Sequence, residues 1–198
     1  MACAWLVEAL GATPPVPAAL TPLVEPRRWE QVAELAGSGV ASPVTTSAGR
    51  LFDAVAALCG VRMRVNYEGQ AAAELEAVAD LRETGDYPLP LRSGVLDARE
   101  TVLAVADDVE AGTPVGIVSA RFHNALARAT ASACSQAAEH HGVTKVVLSG
   151  GVFQNVLLLE RTIAALAETG LRTLVPMRLP PNDAGISYGQ AAVAASLT

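Results

Sequence analysis

Two consecutive glycines, Gly150 and Gly151, stand between a β-branched segment and a helical pattern in the stretch LSGGVFQNVLLLE. Glycines let a backbone approach a phosphate or a sugar closely because they carry no Cβ. The N-terminus of the following helix offers free N–H groups and a positive dipole end. Asn155, at that N-terminus, has both a donor and an acceptor for a nucleotide or acyl group. Two interpretations stay open on this motif alone: a tight strand-to-helix turn without a ligand, or a loop that holds a nucleotide.

A carboxylate, Asp183, stands in a second stretch of interest, LPPNDAGISYGQA, where a loop passes into a helix. It could ligate a divalent cation or contact a metal-bound phosphate. This loop and the double-glycine turn each follow a strand of the same predicted sheet, so we expect them to meet at one end of that sheet. The alternative is that Asp183 is only the N-cap of its helix, a common role for aspartate.

Asp53 and Gly69 form a third candidate pair, in the stretches AGRLFDAVAALCG and YEGQAAAELE. Aspartate is unfavourable in the middle of a helix. Asp53 therefore either faces solvent or holds a ligand hydroxyl. Gly69 stands where a second helix is predicted to begin.

Hydrophobic periodicity and turn residues define the elements that must position these side chains. Near the C-terminus the order strand–helix–strand–helix, with short connections, predicts a parallel βαβ unit. A Gly turn between short apolar stretches predicts a small hairpin over 87–98. Helices are predicted over 2–10, 28–36, 45–60, 70–85, 99–112, 114–142 and 155–170, with one more after 179–185, and strands over 144–150 and 171–176.

Composition excludes several classes of function. Of the 198 residues 51% are hydrophobic and 17% charged, which argues against disorder and allows one domain or two small lobes. A net charge of −6 without a basic stripe lacks the signature of nucleic-acid binding. No apolar run is long enough to cross a membrane. Three widely spaced cysteines without a C-x-x-C pair predict no zinc ribbon or disulfide framework, and a reducing, cytoplasmic setting.

Three groups of segments together resemble the C-terminal region of the hydrogenase-maturation carbamoyltransferases of the HypF type. They are TTSAGRLFDAVAALCGV with NYEGQAAAELE, then ARFHNALA, then VVLSGGVFQNVLLLE with LPPNDAGISYGQA. The resemblance runs from about residue 44 to the end of the chain, and the last pair is the most specific. That region is in turn similar to the proteins that make threonylcarbamoyl-adenosine in tRNA.

This resemblance implies an α/β fold, the second lobe of an actin/hexokinase-like (ASKHA) domain. The expected architecture is a small mixed sheet with a parallel βαβ unit flanked by helices. We expect this lobe over 45–198, preceded by a helical, Pro-rich extension over 1–44.

The resemblance also implies a reaction and a partner. In such proteins ATP and carbamoyl phosphate give carbamoyl-adenylate in an upstream domain. The ASKHA domain then passes the carbamoyl group to the C-terminal cysteine of a HypE-type partner, towards the cyanide ligand of nickel–iron hydrogenase. Asp53 and Gly69 match positions that contact the ribose of the nucleotide and its surroundings. Gly150, Gly151 and Asn155 match the loop for phosphate and acyl-adenylate.

Asp183 matches the carboxylate ligand of the family's metal and, with Asn155, is the expected catalytic pair. One carboxylate does not choose among Fe, Zn and Mg. The family's paired histidines, one helical turn apart, have no counterpart because the chain lacks H-x-x-x-H. None of the 198 residues resembles the family's acylphosphatase-like, zinc-finger or carbamoyl-adenylate-forming domains. We therefore expect a lobe that needs a first lobe or upstream domains for full activity.

Two further hypotheses stay open. The lobe could be a non-catalytic docking module for hydrogenase-maturation proteins. It could also be a lobe of an ASKHA kinase that acts on a sugar or an acyl group, although the strings GGVFQN and PPNDAGIS argue against that.

Overall fold

The chain forms two compact units in a computed structural model that describes residues 1–40 and 42–197. The first unit is Met1–Ala129 and the second runs from Thr130 onward. Ala41, in the loop predicted after the second helix, and Thr198 lie outside the described residues. The predicted division into 1–44 and 45–198 stays a prediction about domain organisation.

The first unit is mainly helical, as predicted. Its first helix packs against the second, third and fifth helices. The sixth helix begins in this unit and ends in the second, stopping before Gly142, whose φ of 65° terminates the helix. The elements are α1 (Ala2–Leu10), α2 (Pro26–Ser38), α3 (Ala48–Leu58), α4 (Gln70–Ala77), β1 (Leu91–Arg92), β2 (Val95–Leu96), α5 (Arg99–Glu110) and α6 (Val115–His141).

The core of the first unit is centred on α3. Ser47 caps this helix, since its side chain accepts a hydrogen bond from the Arg50 N–H. Phe52 is fully buried, with its ring centroid 4.9 Å from that of Phe122 and 5.3 Å from that of His123, both in edge-on geometry. Such aromatic pairs add to the stability that burial of the rings provides.

The predicted helix over 70–85 is wrong in its second half, because α4 ends at Ala77. Beyond it, the Asp80 side chain accepts a hydrogen bond from the Arg82 N–H at 2.9 Å, a local turn that competes with the helix. The Asp80 N–H donates to the carbonyl of Gly116 on α6, also at 2.9 Å. A Cβ on Gly116 would lie 2.8 Å from the Val78 carbonyl oxygen, so this close approach requires glycine.

The predicted hairpin over 87–98 is confirmed as the antiparallel pair β1–β2, with Leu91 opposite Leu96. Its two turn residues, Ser93 and Gly94, both have positive φ, at 50° and 79°. Positive φ at both central residues is the requirement of the two-residue turn that suits the twist of a hairpin.

The second unit contains the predicted parallel βαβ arrangement. Its two strands pair in parallel register, with Lys145 opposite Arg172 and Val147 opposite Leu174. Ala131, Leu148 and Leu166 form its buried apolar cluster. After the last part of α6, the elements are β3 (Lys145–Val147), a 3-10 turn (Gly151–Gln154), α7 (Val156–Glu168), β4 (Arg172–Leu174), a second 3-10 turn (Asp183–Gly185) and α8 (Ile186–Ser196).

The expected mixed sheet is wrong. The described residues form two separate two-stranded sheets, β1–β2 and β3–β4, with one in each unit. The predicted strand over 144–150 is shorter in the structure, where β3 covers only Lys145–Val147. It is also largely uncovered, since Lys145 and Val147 are exposed and Val146 is half-buried. A pair of three-residue strands, each with one neighbour, leaves much of its surface uncovered. No helix within residues 1–40 and 42–197 combines the length and the hydropathy that crossing a bilayer requires.

Candidate functional site

The double-glycine turn and the loop that carries Asp183 meet at the carboxyl ends of β3 and β4, as predicted. The Leu148 N–H donates to the Leu174 carbonyl oxygen at 2.9 Å and continues the pairing beyond the strands. The Gly150 N–H then donates to the Pro181 carbonyl oxygen at 2.7 Å. This second bond joins the two loops directly. Parallel strands place such loops at the edge where α/β proteins bind ligands.

The two glycines of the turn have different roles. Gly150 has φ 105° and ψ 156°, a conformation that essentially only glycine adopts. Gly151 begins the 3-10 turn in an ordinary conformation, and a Cβ added to it would lie 3.8 Å from the Asn182 Cβ, a normal contact. The backbone conformation at position 150 therefore requires glycine. At position 151 glycine only leaves the surface next to Asn182 without a side chain.

Gly150→Ala is expected to destabilise the second unit by about 1–3 kcal/mol, since a Cβ strains this conformation. The matched variant Gly151→Ala should change stability by less than about 0.5 kcal/mol. Native-state hydrogen exchange of the α7 amides measures both effects. Fluorescence of Trp5 and Trp29, which lie in the first unit, is the internal control and should not change. Equal effects of the two variants would contradict the assignment.

Asn155 is the N-cap of α7. Its side-chain oxygen accepts a hydrogen bond from the Leu158 N–H at 2.8 Å, and the residue is buried. An N-cap of this kind contributes typically about 1 kcal/mol. The capping bond occupies the side-chain oxygen of Asn155, as expected for a tight strand-to-helix turn without a ligand. Contact of Asn155 with an acyl-adenylate, and a part in catalysis, stay predictions.

Asp183 is not the N-cap of its turn. The cap is Asn182, whose side-chain oxygen accepts a hydrogen bond from the Ala184 N–H at 3.2 Å. The Asp183 carboxylate is exposed and, within the described part of the chain, has no hydrogen bond or ion pair. Sequence reasoning missed the cap because asparagine and aspartate are equally good caps and stand side by side. The capping alternative for Asp183 is wrong, and its role as a ligand stays a prediction.

This loop offers one acidic ligand, Asp183, to the metal that the resemblance implies. No group of three or more His, Cys, Asp or Glu side chains in residues 1–40 and 42–197 is arranged to hold a metal ion. Hard cations such as Mg²⁺ usually bind through one or two carboxylates together with water and phosphate oxygens. Asp183 fits that partial role, and the remaining ligands would have to come from other groups.

Asp53 and Gly69 lie in the first unit. Asp53 is partly exposed on α3, with its carboxylate 3.8 Å from the Arg50 guanidinium on the preceding turn, a weak surface pair. Gly69 has φ 83° and immediately precedes α4, the predicted helix start. A Cβ at Gly69 would meet no atom within 4 Å, so the requirement for glycine there is conformational. Their contacts with a ribose stay predictions.

The loop before Gly69 is fastened to α4 by side chains that sequence reasoning did not single out. The Arg62 guanidinium makes a two-pronged hydrogen bond to the Glu74 carboxylate, at 2.7 and 2.5 Å. This bond holds the pKa of Glu74 below its usual range. Gln70 accepts a hydrogen bond from the Asn66 N–H at 2.8 Å. No local pattern in the sequence marks these pairs, which are four to twelve residues apart.

The segment ARFHNALA has a structural role in α6. His123 is fully buried, and its Nδ1–H donates to the Ser119 carbonyl oxygen at 2.8 Å, so it is a hydrogen-bonded core histidine. The Asn124 amide donates to the carbonyl oxygens of Glu83 and Gly85 at 3.2 and 2.7 Å. These bonds hold the segment after α4 against α6.

Arg121, from the same segment, belongs to an ionic cluster. The Tyr87 hydroxyl donates to the Asp108 carboxylate at 2.6 Å, and Arg121 donates to it at 2.9 Å. These two donors hold the pKa of Asp108 below its usual range. Burial raises the pKa of Tyr87 above the usual range of a tyrosine. The cluster is a partly buried anchor in which each group is hydrogen-bonded to another.

The cysteines are not reactive groups. Cys3 and Cys59 are buried, and Cys134 is half-buried. Burial raises the pKa of the Cys59 thiol to about 12, so its nucleophilic thiolate form is scarce at neutral pH. Cys3 and Cys59 therefore act as small buried hydrophobes.

Comparison with known proteins identifies the family. Residues 1–190 match the family described as carbamoyltransferase, Kae1-like domain, second subdomain. Carbamoyltransferase HypF of Synechocystis sp. is 39% identical over 154 residues, which cover 75% of this chain and 19% of that protein. Carbamoyltransferase HypF of Rhodobacter capsulatus is 41% identical over 165 residues, which cover 82% of this chain and 21% of that protein.

A solved structure agrees with the sequence comparison. The crystal structure of full-length HypF in the phosphate- and nucleotide-bound form matches with a TM-score of 0.80 and 36% identity. The match covers 90% of this chain and 24% of that protein. The chain thus spans about a fifth of the length of the curated relatives it matches. On this evidence of sequence and fold together, the chain belongs to the family of carbamoyltransferase Kae1-like domains, as their second subdomain.

Proposed function

We propose that this chain is the carbamoyl-transferring subdomain of a HypF-type enzyme of hydrogenase maturation. It would take part in passing a carbamoyl group from carbamoyl-adenylate to the C-terminal cysteine of a HypE-type protein. It would do so together with a first subdomain and upstream domains, because the HypF relatives are about four times as long as this chain.

One observation carries the proposal: the 2.7 Å bond from the Gly150 N–H to the Pro181 carbonyl oxygen. It joins the glycine turn to the loop of Asp183. A backbone without side chains and an exposed carboxylate therefore lie at the same edge of the β3–β4 pair. The similar structure of full-length HypF in its phosphate- and nucleotide-bound form supports a nucleotide as the ligand.

The chemistry of this edge suits an acyl phosphate. The glycine turn leaves room for a phosphate, and the N-terminus of α7 directs its positive dipole end towards it. The Asp183 carboxylate would hold a divalent cation, Fe, Zn or Mg, which when bound would polarise the acyl–phosphate link as a Lewis acid. The contacts of Asp53 and Gly69 with the ribose rest on the family resemblance alone.

A chimeric HypF tests the proposal: this chain replaces the matching segment of the Synechocystis protein. With ATP, carbamoyl phosphate and a HypE-type protein, the chimera should carbamoylate the C-terminal cysteine of its partner, as detected by mass spectrometry. The matched control is a HypE-type protein in which that cysteine is serine, which should stay unmodified.

A chimera that folds and forms carbamoyl-adenylate but transfers nothing would contradict the proposal. If such a chimera still bound the HypE-type protein, the non-catalytic docking module would be the better account. The exposed apolar helix α8 is the observation that favours a docking role of some kind.

A further inference from the structure

Asn182 stands between the two loops of the candidate site. A Cβ added to Gly151 would lie 3.8 Å from the Asn182 Cβ, so the side chain of Asn182 begins beside the glycine turn. Asp183 follows it directly, and Pro181 before it accepts the hydrogen bond from the Gly150 N–H at 2.7 Å. Asn182 is half-buried, whereas Asp183 is exposed. A ligand that lies between the glycine turn and the carboxylate would therefore meet Asn182 as well.

The two ends of the Asn182 amide have different environments. Its side-chain oxygen accepts a hydrogen bond from the Ala184 N–H at 3.2 Å. Because the amide is planar and its nitrogen is only a donor, this bond also fixes the direction of the NH2 group. Within residues 1–40 and 42–197 that NH2 group has no hydrogen-bond partner. The loop therefore carries an oriented donor that the described part of the protein does not use.

Capping alone does not require asparagine at position 182. Aspartate, asparagine and serine cap helical turns about equally well. Aspartate there would place a second negative charge next to the exposed Asp183 carboxylate, and the two charges would repel an anion at the glycine turn. Asparagine supplies the same cap without that charge and adds an N–H donor. Such a donor suits an ionised oxygen, to which hydrogen bonds are stronger than to a neutral one.

We propose that Asn182 is a substrate-contacting residue, which donates a hydrogen bond from its side-chain amide to a phosphate oxygen of carbamoyl-adenylate. The proposal rests on the proposed function. In the transfer, the acceptor cysteine loses its thiol proton to water, and its sulfur forms a bond to the carbamoyl carbon. The bond from that carbon to the phosphate oxygen breaks, and AMP leaves with the electron pair. The phosphate thereby gains one negative charge, which a donor already in position stabilises in the transition state.

The main test is Asn182→Asp in the chimeric HypF. Aspartate keeps the capping oxygen and the size of the side chain but replaces the donor with an acceptor. Single-turnover carbamoyl transfer should slow by about 10- to 100-fold, the usual effect of losing one hydrogen bond to a charged group. Hydrogen exchange of the amides over 183–187 should not change, because the cap is kept. Asn182→Ala removes both the cap and the donor, so it should slow transfer and also speed this exchange.

Gln136→Glu is the matched control for Asn182→Asp. It makes the same amide-to-acid change at an exposed position of the second unit, on α6, and should keep full transfer activity.

A second measurement does not depend on transfer. The NMR signal of the Asn182 NH2 group in the isotope-labelled chain is assigned by its absence from Asn182→Asp. It should shift when millimolar AMP and Mg²⁺ are added, together with the amide signals of Gly150 and Gly151.

Normal transfer by Asn182→Asp would overturn the proposal. So would faster exchange over 183–187 in that variant, since the effect would then be structural. An Asn182 signal that AMP does not shift, with or without shifts of Gly150 and Gly151, would overturn it as well. Shifts of all three residues, in a chain whose unaltered chimera transfers nothing, would count against the proposed function and leave the phosphate contact intact.

Discussion

Asp183→Asn in the chimeric HypF is expected to lower kcat for carbamoyl transfer by about 100- to 1,000-fold. Asparagine keeps the size of the side chain but removes the charge that would hold a cation against the acyl phosphate. Loss of one electrostatic contact to a transition state has effects of this magnitude. Single-turnover transfer from preformed carbamoyl-adenylate measures the step without the upstream chemistry.

The stability of the second unit should not change in this variant. The Asp183 carboxylate is exposed and has no partner among the residues that the structure describes, so its loss breaks no contact. Glu168→Gln, at the exposed end of α7, is the matched control and should keep full transfer activity. If Asp183→Asn transferred the carbamoyl group at the normal rate, Asp183 would have no part in the chemistry.

Phe52→Ala is expected to destabilise the first unit by about 3–5 kcal/mol, the usual cost of removing a buried aromatic ring. Phe52 is 1% exposed and contacts the rings of both Phe122 and His123, so the cavity would be enclosed on several sides. Urea unfolding followed by tryptophan fluorescence measures the change, because Trp5 and Trp29 both lie in the first unit.

Leu81→Ala is the control for Phe52→Ala. Leu81 belongs to the same unit but is 73% exposed, and its truncation should change stability by no more than about 0.5 kcal/mol. A cost below about 1 kcal/mol for Phe52→Ala would mean that the ring is not part of a packed core.

Local signals in the sequence predicted most elements correctly. The hydroxyl cap at Ser47, the terminating glycine Gly142 and the Ser93–Gly94 turn are each set by residues a few positions apart. The end of α4 was not predicted because a distant contact supports it in addition to the local Asp80–Arg82 turn. Asp80 bonds to Gly116 on α6, and a contact across thirty-six residues leaves no periodic trace in the chain.

The candidate site was predictable in its main lines. The rule that parallel strands gather their following loops at one edge predicted that the glycine turn and the loop of Asp183 would meet. The bond between Gly150 and Pro181 was not predictable, and neither was the choice of Asn182 over Asp183 as the cap. The bond and the cap both depend on backbone angles, and the residue types at these positions do not determine those angles.

The sequence by itself determined the order of helices and strands, the family, and the residues that gather at the end of the βαβ unit. Only the tertiary structure decided which of those residues are committed to capping, which carboxylate is left exposed, and that α8 is uncovered. The physical reason is the distance along the chain over which each kind of interaction acts. Propensities, caps and turns act between residues a few positions apart, whereas burial depends on whether another surface is present in space. An apolar sequence such as that of α8 predicts a buried helix, whether or not the surface that would cover the helix belongs to the same unit.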